Sequence, residues 1–401
     1  MWRRSVLTLL LLLVVFGVSA QVREYAVVRG DTLSYNYTPL DQTSYVGGGS
    51  RETFGRRLYD YQHLGIGNER NVKFSLVGAP AYSTTTGWRL TIAGNMDYYL
   101  PSDIQRHSPS HLTLYASASL TGYYRVELDG YNRLDKHILR YGAEFKSQPT
   151  YLYGLDYATA LLGNAAEYTD REYGAWFRYE YLLPHNMRVG AVADYLYQNS
   201  LNLDVSADAI LADESLRYSG AGVGLLFGFN NVSRSAERGS QYKGFRLSLE
   251  AIVRPNFLSS MHSTLYEFSV AANYYARLWR GAGLALDIYG EHHSQDTPWM
   301  LRAELGGDYR MRGYYEGRFN GNSLITAQLE LRQHIWNGIG AVVWGGAGTV
   351  FSHSDKFSVD KILPTYGVGL RYELTSSTVV RFDVAFGRDT QTYILGMSEA
   401  F

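Results

Sequence analysis

A few groups of polar side chains in this sequence of 401 residues have the types that could do chemistry. Glu291, His292 and His293, followed by Asp296, could bind a metal ion, but they begin a polar connection and we interpret them as solvated side chains. The glycine-rich stretch 220–228 lacks the spacing and the strand-to-helix context of a phosphate-binding loop. His, Ser and Asp are scattered, without a nucleophile elbow. We therefore expect no catalytic residue, no metal, no cofactor and no enzymatic activity.

A more specific group of residues lies in the last third of the chain. A long connection carries the motif Arg312-Gly313-Tyr314, and the segment that follows carries Glu330 on its polar face. A guanidinium inserted away from bulk water needs a fixed acidic partner. The sequence therefore predicts a charge-assisted hydrogen bond from Arg312 to Glu330, with Asp383 as the second candidate partner.

The segments around these residues alternate with the period of a β-strand and not of a helix. Residues 366–373 place Tyr, Val, Leu and Tyr on one face and Gly, Gly, Arg and Glu on the other, and residues 325–332 show the same split. A soluble sandwich shows such alternation too, but these segments are longer than soluble strands and tyrosines gather near their ends. Because an open sheet edge leaves backbone groups unpaired in a bilayer, the sheet must close. The pattern predicts an all-β fold, a transmembrane antiparallel β-barrel.

The alternation predicts 16 strands, with a long extracellular loop between strands 11 and 12; the family resemblance given below implies that this loop is inserted into the barrel. The predicted strands are 73–80, 88–98, 111–120, 122–131, 137–147, 171–183, 187–199, 216–229, 242–254, 264–275, 281–291, 323–334, 339–350, 364–373, 379–387 and 391–400.

Composition excludes several other classes of protein. The 37 Lys and Arg residues balance the 38 Asp and Glu residues, so no overall field attracts a polyanion and no nucleic-acid partner is expected. The absence of Cys excludes a disulfide framework, a thiolate metal site and a lipid-modified N-terminal cysteine. After residue 20, no apolar run is long enough for a membrane-spanning helix.

The chain divides into three expected parts. Residues 1–20 have two arginines, an apolar block and small residues before Ala20, which predicts a secretory signal peptide. Residues 21–71 form an N-terminal extension; a short helix at 52–64, as a luminal plug or a periplasmic foot, and a disordered tail are both open interpretations. Residues 72–401 are the predicted barrel.

The region that contains the Arg312 motif resembles the BamA/TamA superfamily of outer-membrane barrels, the bacterial surface antigen type. That family has an Arg-Gly-aromatic tip on the loop between strands eleven and twelve, folded back into the lumen. NSLITAQLELR, TYGVGLRYEL, RFDVAFG and YILGMSEAF are similar to its twelfth, fourteenth, fifteenth and sixteenth strands, and KFSLVGAPAYSTTTGWRL is similar to the first hairpin of a Bacteroidetes-like branch. The resemblance covers residues 72–401.

Two departures from the family pattern affect what the resemblance implies. Gly346 stands in strand thirteen where many members have an acidic residue that faces the loop arginine. Residues 21–71 are too few for the periplasmic polypeptide-transport-associated domains that usually precede the barrel, so the resemblance implies a barrel-only member.

The resemblance implies a protein of the Gram-negative outer membrane that assists insertion or translocation of polypeptides, or of lipids. The expected partners are outer-membrane lipids and lipopolysaccharide, together with other outer-membrane or periplasmic assembly proteins. The alternative is a structural or passive-channel barrel within an outer-membrane complex.

Phe401 is expected to be both a wall residue and a terminal assembly signal. It shares the parity of Tyr393, Leu395 and Met397, which predicts a lipid-facing row in the last strand.

The seam between the first and last strands is expected to be the weakest part of the wall. Gly78 and Pro80 lie where the first strand should extend, and proline removes a ladder donor. With Gly396 on the last strand, they define a lateral seam that could open; in the alternative, Pro80 ends the strand at a turn and the seam stays shut. Cysteines near Ser75 and Gly396 are expected to close only this seam.

Overall fold

The computed structural model describes residues 72–83, 87–98, 110–234, 242–336, 338–373, 379–397 and 399–401. The expected signal peptide and N-terminal extension lie outside these residues. The strands are β1 (Val72–Ser83), β2 (Gly87–Tyr98), β3 (Ser110–Ser119), β4 (Tyr124–Leu134), β5 (His137–Leu152), β6 (Ala166–Leu183), β7 (Met187–Leu201), β8 (Arg217–Asn230), β9 (Ser233–Arg234), β10 (Tyr242–Arg254), β11 (Leu265–Arg277), β12 (Ala282–His293), β13 (Ala303–Leu305), β14 (Phe319–Gly321), β15 (Ser323–Trp336), β16 (Ile339–Phe351), β17 (Leu363–Glu373), β18 (Val379–Gly387) and β19 (Thr390–Met397).

Short helices occur only in connections between the described strands. The α-helices are α1 (Tyr157–Leu161) and α2 (Val205–Ile210), and 3-10 turns lie at Asn256–Leu258, Trp299–Leu301 and Val359–Lys361. Both α-helices begin after an aspartate, Asp156 or Asp204, whose carboxylate accepts a backbone N–H of the first turn. No helix in the described part of the chain has the length and apolar character to cross a bilayer.

Seventeen of the strands form one antiparallel sheet in which sequence neighbours pair, and β13 and β14 form a separate pair. β12 pairs with β15, so the residues between them leave the sheet as one long loop. β1 also meets β19, at the single position Tyr82–Leu395. The predicted all-β, antiparallel architecture is confirmed.

The two faces of the sheet have the opposite burial from a soluble sheet. In β17, Tyr366, Val368 and Leu370 are each more than half exposed, while Arg371 is buried. In β15, Ile325 and Leu329 are exposed, and Gln328 and Glu330 are buried on the other side. We call these the apolar face and the polar face. The alternation in the sequence therefore assigned these side chains to the correct faces, and the hydrophobic side chains lie on the exposed face.

Most strands begin and end within a few residues of the predicted positions, but four ends differ enough to matter. β5 continues to Leu152 and β6 begins at Ala166, because these two buried residues pair with each other and extend the hairpin. β1 continues to Ser83, since its ladder with β2 runs through Pro80 without interruption. β19 ends at Met397 and not at residue 400.

Candidate functional site

The loop between β12 and β15, residues 294–322, lies against the polar face of the sheet; we call it the inserted loop. Its own residues pair as β13 with β14. Its apolar side chains join a buried cluster with residues from the wall and from α1. The members are Tyr157, Ala160, Ala271, Tyr289, Ala303, Leu305, Met311, Tyr314, Phe319, Leu324, Val350 and Leu363.

The tip of the inserted loop requires glycine at position 313. Gly313 has φ of 108°, in the left-handed region, and Met311 before it has φ of 47°. A Cβ atom on Gly313 would stand 2.6 Å from the carbonyl carbon of Phe386. The backbone of the tip therefore touches the backbone of β18, a distance that only glycine permits.

Tyr314 fastens the tip to two strands. Its hydroxyl donates to the carbonyl of Pro364 and accepts from the backbone N–H of Arg388, both at 2.7 Å. Gly387 leaves the space for the ring, because a Cβ there would stand 2.5 Å from it. The motif tyrosine thus connects the start of β17 to the end of β18.

Arg312 is fully buried between the tip and the polar face, and both predicted acidic partners contact it. Its Nη2 donates to Oε2 of Glu330 at 2.7 Å, and its Nη1 donates to Oδ2 of Asp383 at 3.0 Å. Neither carboxylate is exposed to solvent. The backbone carbonyl of Arg312 also accepts the hydroxyl of Thr365. The sequence favours Glu330 as the partner and Asp383 as the second candidate. In the structure, Arg312 binds both of them.

The flat side of the Arg312 guanidinium is covered by Trp344, which the sequence analysis missed. The guanidinium carbon lies 3.7 Å from the centre of the indole ring, the geometry of a cation–π contact. Trp344 is in β16 and has the same parity as Gly346, the position where many members of the resembled family have an acidic residue. That parity was the signal that could have found it, because it places the indole on the polar face.

The ion cluster extends from Arg312 to residues beyond the predicted site. Arg332 donates to Glu330 at 2.7 Å, and Arg371 donates both to Asp383 and, at 2.8 Å, to Glu399. Burying an ion is unfavourable unless opposite charges and hydrogen bonds compensate it. We call Arg312, Glu330, Arg332, Arg371, Asp383 and Glu399 the ion cluster.

A second arginine holds the opposite side of the tip. Arg310 donates to Asp287 of β12 at 2.8 Å, and its guanidinium lies 4.0 Å from the ring centre of Tyr289. Asp287 in turn accepts from Asn273 of β11 at 2.6 Å. The inserted loop is therefore tied to strands on both sides.

One aspartate of the inserted loop and one beside α2 have pKa values shifted in opposite directions. Burial raises the pKa of Asp308, although Arg89 at 3.9 Å opposes this effect. Backbone N–H groups of Glu167 and Ala207 hold the pKa of Asp204 below its usual value.

Phe401 does not occupy the lipid-facing position that its parity predicted. It is buried, with its backbone oxygen accepting from Nη2 of Arg332 at 2.7 Å and its ring 5.3 Å from that guanidinium. It packs with Tyr275, Ala285 and Ala400 on the polar face. The parity argument failed because β19 ends at Met397 and the chain then turns inward. A role for Phe401 as an assembly signal stays a prediction.

The three residues predicted for the seam pair with other neighbours. Gly78 and Pro80 pair with Ile92 and Leu90 of β2, and Gly396 pairs with Arg381 of β18. Among the residues described, Tyr82–Leu395 is the one position where β1 and β19 pair.

The register at this position rules out the cysteine pair expected from sequence. Partners in an antiparallel ladder move in opposite directions, so in the register of the Tyr82–Leu395 pair Gly396 would lie opposite residue 81 and not opposite Ser75. The choice of Ser75 with Gly396 was therefore wrong, because the register could not be read from one strand alone.

The expected solvation of Glu291 and His293 is also wrong. Both are buried in β12, where the Glu291 carboxylate binds His293 and accepts the hydroxyl of Tyr289 at 2.7 Å. His292 points the other way and contacts Ser323. The strand simply continues further than predicted. In the part of the chain that the structure describes, no group of three or more such side chains is arranged to hold a metal ion.

Comparison with known proteins identifies the fold. No family model and no curated protein matches the chain. Among solved structures, it is similar to BamA from Haemophilus ducreyi lacking POTRA domains 1–3, with a TM-score of 0.58 and 14% identity over 82% of this chain and 71% of that one. CdiB from Escherichia coli gives 0.56 and 13% over 83% and 64%, and CdiB from Acinetobacter baumannii gives 0.55 and 13% over 82% and 60%.

The similarity to these solved structures concerns the fold alone, since so few residues are identical. The chain spans less than two thirds of the length of either CdiB structure. Its large antiparallel sheet is thus of the kind found in BamA and CdiB barrels.

Proposed function

We propose that the sheet closes into a sixteen-stranded barrel in the outer membrane of a Gram-negative bacterium, where the chain assists insertion or translocation of polypeptides or of lipids. The exposed apolar face supports lipid as its surroundings, because lipid-spanning strands alternate apolar-out and polar-in. In this proposal residues 1–20 are an export signal and residues 72–401 the barrel. The partners are outer-membrane lipids and lipopolysaccharide, and other assembly proteins of the outer membrane or periplasm.

The observation that carries this function is the contrast between the seam and the next ladder. β18 and β19 pair from Val380–Met397 to Gly387–Thr390, whereas among the described residues β19 and β1 share one paired position. Unpaired edges of this kind accept another strand by backbone hydrogen bonds. A wall that is nearly unpaired at one seam can open laterally toward the membrane.

The inserted loop keeps the rest of the wall in place while the seam changes. Arg312 and Tyr314 fasten strands β15, β17 and β18 to one rigid loop. Of these strands, β18 is the one that pairs with β19. We propose that this arrangement confines opening to the β1–β19 seam.

A disulfide across the seam tests the proposal directly, since the chain has no native cysteine. The variant Tyr82→Cys/Leu395→Cys is purified, placed in liposomes and supplied with a urea-unfolded outer-membrane barrel as client. We expect the reduced protein to accelerate client folding and the oxidised protein to fall to the rate of empty liposomes. The matched control is Val343→Cys/Val368→Cys, an outward-facing pair within the β16–β17 ladder, which should work equally well in both redox states.

Two results would contradict the proposal in different ways. Equal acceleration by the oxidised and reduced seam variants would mean that the seam need not open. No acceleration by either would remove the insertion activity itself and favour the alternative role.

The alternative is a structural or passive-channel barrel in a larger outer-membrane complex. The inserted loop favours a scaffold over an open channel, because it lies against the polar face and is held there by Arg312 and Tyr314. Single-channel recordings in planar bilayers distinguish them: steady conductance by the wild-type chain supports a channel, and none supports a scaffold. No catalytic activity is proposed.

A further inference from the structure

A cavity of about 80 Å³ lies between the polar face and the inserted loop; we call it the loop cavity. Strands β5 and β6 line one side of it, and the inserted loop lines the other. An engineered cavity of about 150 Å³ holds benzene, so the loop cavity has room for a smaller group of a few heavy atoms. The side chain of Lys146, which lines it, is 22% exposed, so solvent reaches the loop cavity from the wall.

The side chains that line the loop cavity make it negatively charged. Four carboxylates belong to it, Asp170 and Glu172 of β6 and Glu304 and Glu316 of the inserted loop, against the one ammonium of Lys146 among the described lining residues. Lys146 lies 3.0 Å from Glu172 and 3.8 Å from Asp170, so its charge is directed at the acids of the wall. The loop cavity therefore attracts cations and repels anions.

A buried amide oxygen shows what a bound cation must offer. Asn320 lines the loop cavity with an exposure of 8%. Its Nδ2 donates to the carbonyl of Gly154 at 3.1 Å, which fixes the orientation of the amide, and its Oδ1 has no hydrogen-bond partner. Asn320 is opposite Glu304 in the β13–β14 pair, so both side chains lie on one face. A ligand that donates a hydrogen bond would satisfy this buried acceptor.

The arrangement of the acceptors favours an organic cation over a metal ion. Within the described ranges, no three acidic or histidine side chains come together as metal ligands. A guanidinium group instead spreads five N–H donors over a plane, is weakly hydrated and stacks on aromatic rings. Tyr168 and Trp299 supply such rings, since both line the loop cavity and contact each other edge to face at 5.6 Å between ring centres.

We propose that the loop cavity is a binding site for a guanidinium group. The oxygen of Asn320 and the carboxylates of Glu304 and Glu316 accept its N–H groups, and Tyr168 and Trp299 form the aromatic wall. A carboxylate accepts up to about four hydrogen bonds, so an acid that has a partner within the chain can also bind the ligand. Two sources carry this group: a small free molecule, or an arginine side chain of a polypeptide that passes the inserted loop. The second source would give the proposed function a preference for basic segments.

Calorimetric titration of the purified full chain in detergent micelles tests the site. The two guanidinium probes are argininamide and a blocked heptapeptide with one central arginine between glycines. Their neutral counterparts are citrullinamide and the same peptide with citrulline, which has nearly the same shape as arginine but no charge. We expect argininamide to bind more tightly than citrullinamide on the order of tenfold or more, because charge-assisted hydrogen bonds are the stronger ones.

Substitutions locate the binding in the loop cavity. Glu304→Gln should weaken argininamide binding on the order of tenfold, the effect of losing one charge-assisted hydrogen bond at the low end of its range. Asn320→Leu should act in the same direction, and Glu316→Gln provides a further variant if either folds poorly. The matched control is Asn322→Leu, which should leave the affinity unchanged. Asn322 is also buried in the inserted loop and donates to the carbonyl of Ser294 at 2.8 Å, but it is not among the described residues that line the loop cavity.

The outcomes separate the two sources and can overturn the site. Similar affinities for the peptide and for argininamide support a polypeptide side chain as the ligand, and binding of argininamide alone supports a small molecule. The site would be overturned by equal binding of argininamide and citrullinamide, by no binding of either guanidinium probe, or by unchanged affinity in all three cavity variants. Binding of Ca²⁺ in place of argininamide, lost in Glu304→Gln, would also overturn it and indicate a metal site.

Cation binding requires neither a client protein nor a seam that opens. A failure of client folding with normal argininamide binding would therefore count against the proposed function and not against the loop cavity.

Discussion

The polar face of the sheet has two regions that the strand sequences make alike and the inserted loop makes different. In the anchored region, β12 and β15–β18, Asp287, Glu330 and Asp383 each bind an arginine of the inserted loop, and Arg312, Glu330 and Asp383 have no solvent exposure. In the unanchored region, β4–β8 and β10, arginines and acids also pair between strands and most of these side chains are buried, but Lys146 keeps a side-chain exposure of 22%. A cavity of about 60 Å³ lies among those pairs.

The comparison shows that the alternation of the sequence decides which side chains lie on the polar face. The inserted loop decides how much their ion pairs contribute to the free energy of unfolding. Exposed ion pairs contribute little because water and salt screen them. Buried ones are strongly coupled, since loss of one partner leaves an uncompensated charge. The two regions should therefore respond very differently to the same kind of substitution.

The largest difference is expected for removal of one cation from each region. Arg312→Met should lower the free energy of unfolding by about 3–5 kcal/mol, because it leaves Glu330 and Asp383 short of a buried partner. Lys146→Met, the matched change in the unanchored region, should cost less, because the Lys146 side chain is partly exposed and water screens its pair with Glu172. Urea unfolding in detergent micelles measures both. Equal costs would mean that the inserted loop does not desolvate the anchored region.

A smaller difference is expected between two glycines. Gly313→Ala should cost about 1–3 kcal/mol, because its φ of 108° is unfavourable for alanine and its Cβ would collide with Phe386. Gly174→Ala in β6 has nothing within 4 Å of the added Cβ and should be nearly neutral. Unfolding midpoints report stability, and protease cleavage within the inserted loop reports its release. A stable Gly313→Ala protein with a protected loop would contradict the close contact between the tip and β18.

The smallest effect concerns pH, and its sign should be opposite in the two loops. The raised pKa of Asp308 means that ionisation of this carboxyl group opposes folding. Its contribution to the free energy of unfolding therefore falls as pH rises from the usual aspartate pKa through the raised one. The lowered pKa of Asp204 means that its contribution is present above the usual value and is lost as pH falls through the folded value.

The test of these signs is a pair of pH series of the unfolding midpoint. Asp308→Asn should gain relative to wild type as pH rises through that window, and Asp204→Asn should gain relative to wild type as pH falls. Parallel profiles for wild type and Asp308→Asn would show that burial does not perturb this carboxyl group.

The sequence could predict which residues face inward but not how distant strands combine. Tyr366, Val368 and Leu370 were assigned to one face from a period of two, and the structure agrees. The parity of Trp344 places its indole on the polar face, but its contact with Arg312 was missed because the two residues are about 30 positions apart in the sequence. Phe401 was misplaced because parity holds only while a strand continues. The seam register was misjudged because it depends on both ends of the chain together.

The contacts of Arg312 also imply an order of events during folding. Its bond to Glu330 spans 18 residues and its bond to Asp383 spans 71, while the Arg332 contact with Phe401 spans 69. Closing a longer stretch of chain costs more entropy and depends on strands made later. The loop can therefore find its first partner early, but the arginine is fully neutralised only after β18 has joined the sheet. The ion cluster is therefore completed late in folding, and only in a chain whose final strands are already in register.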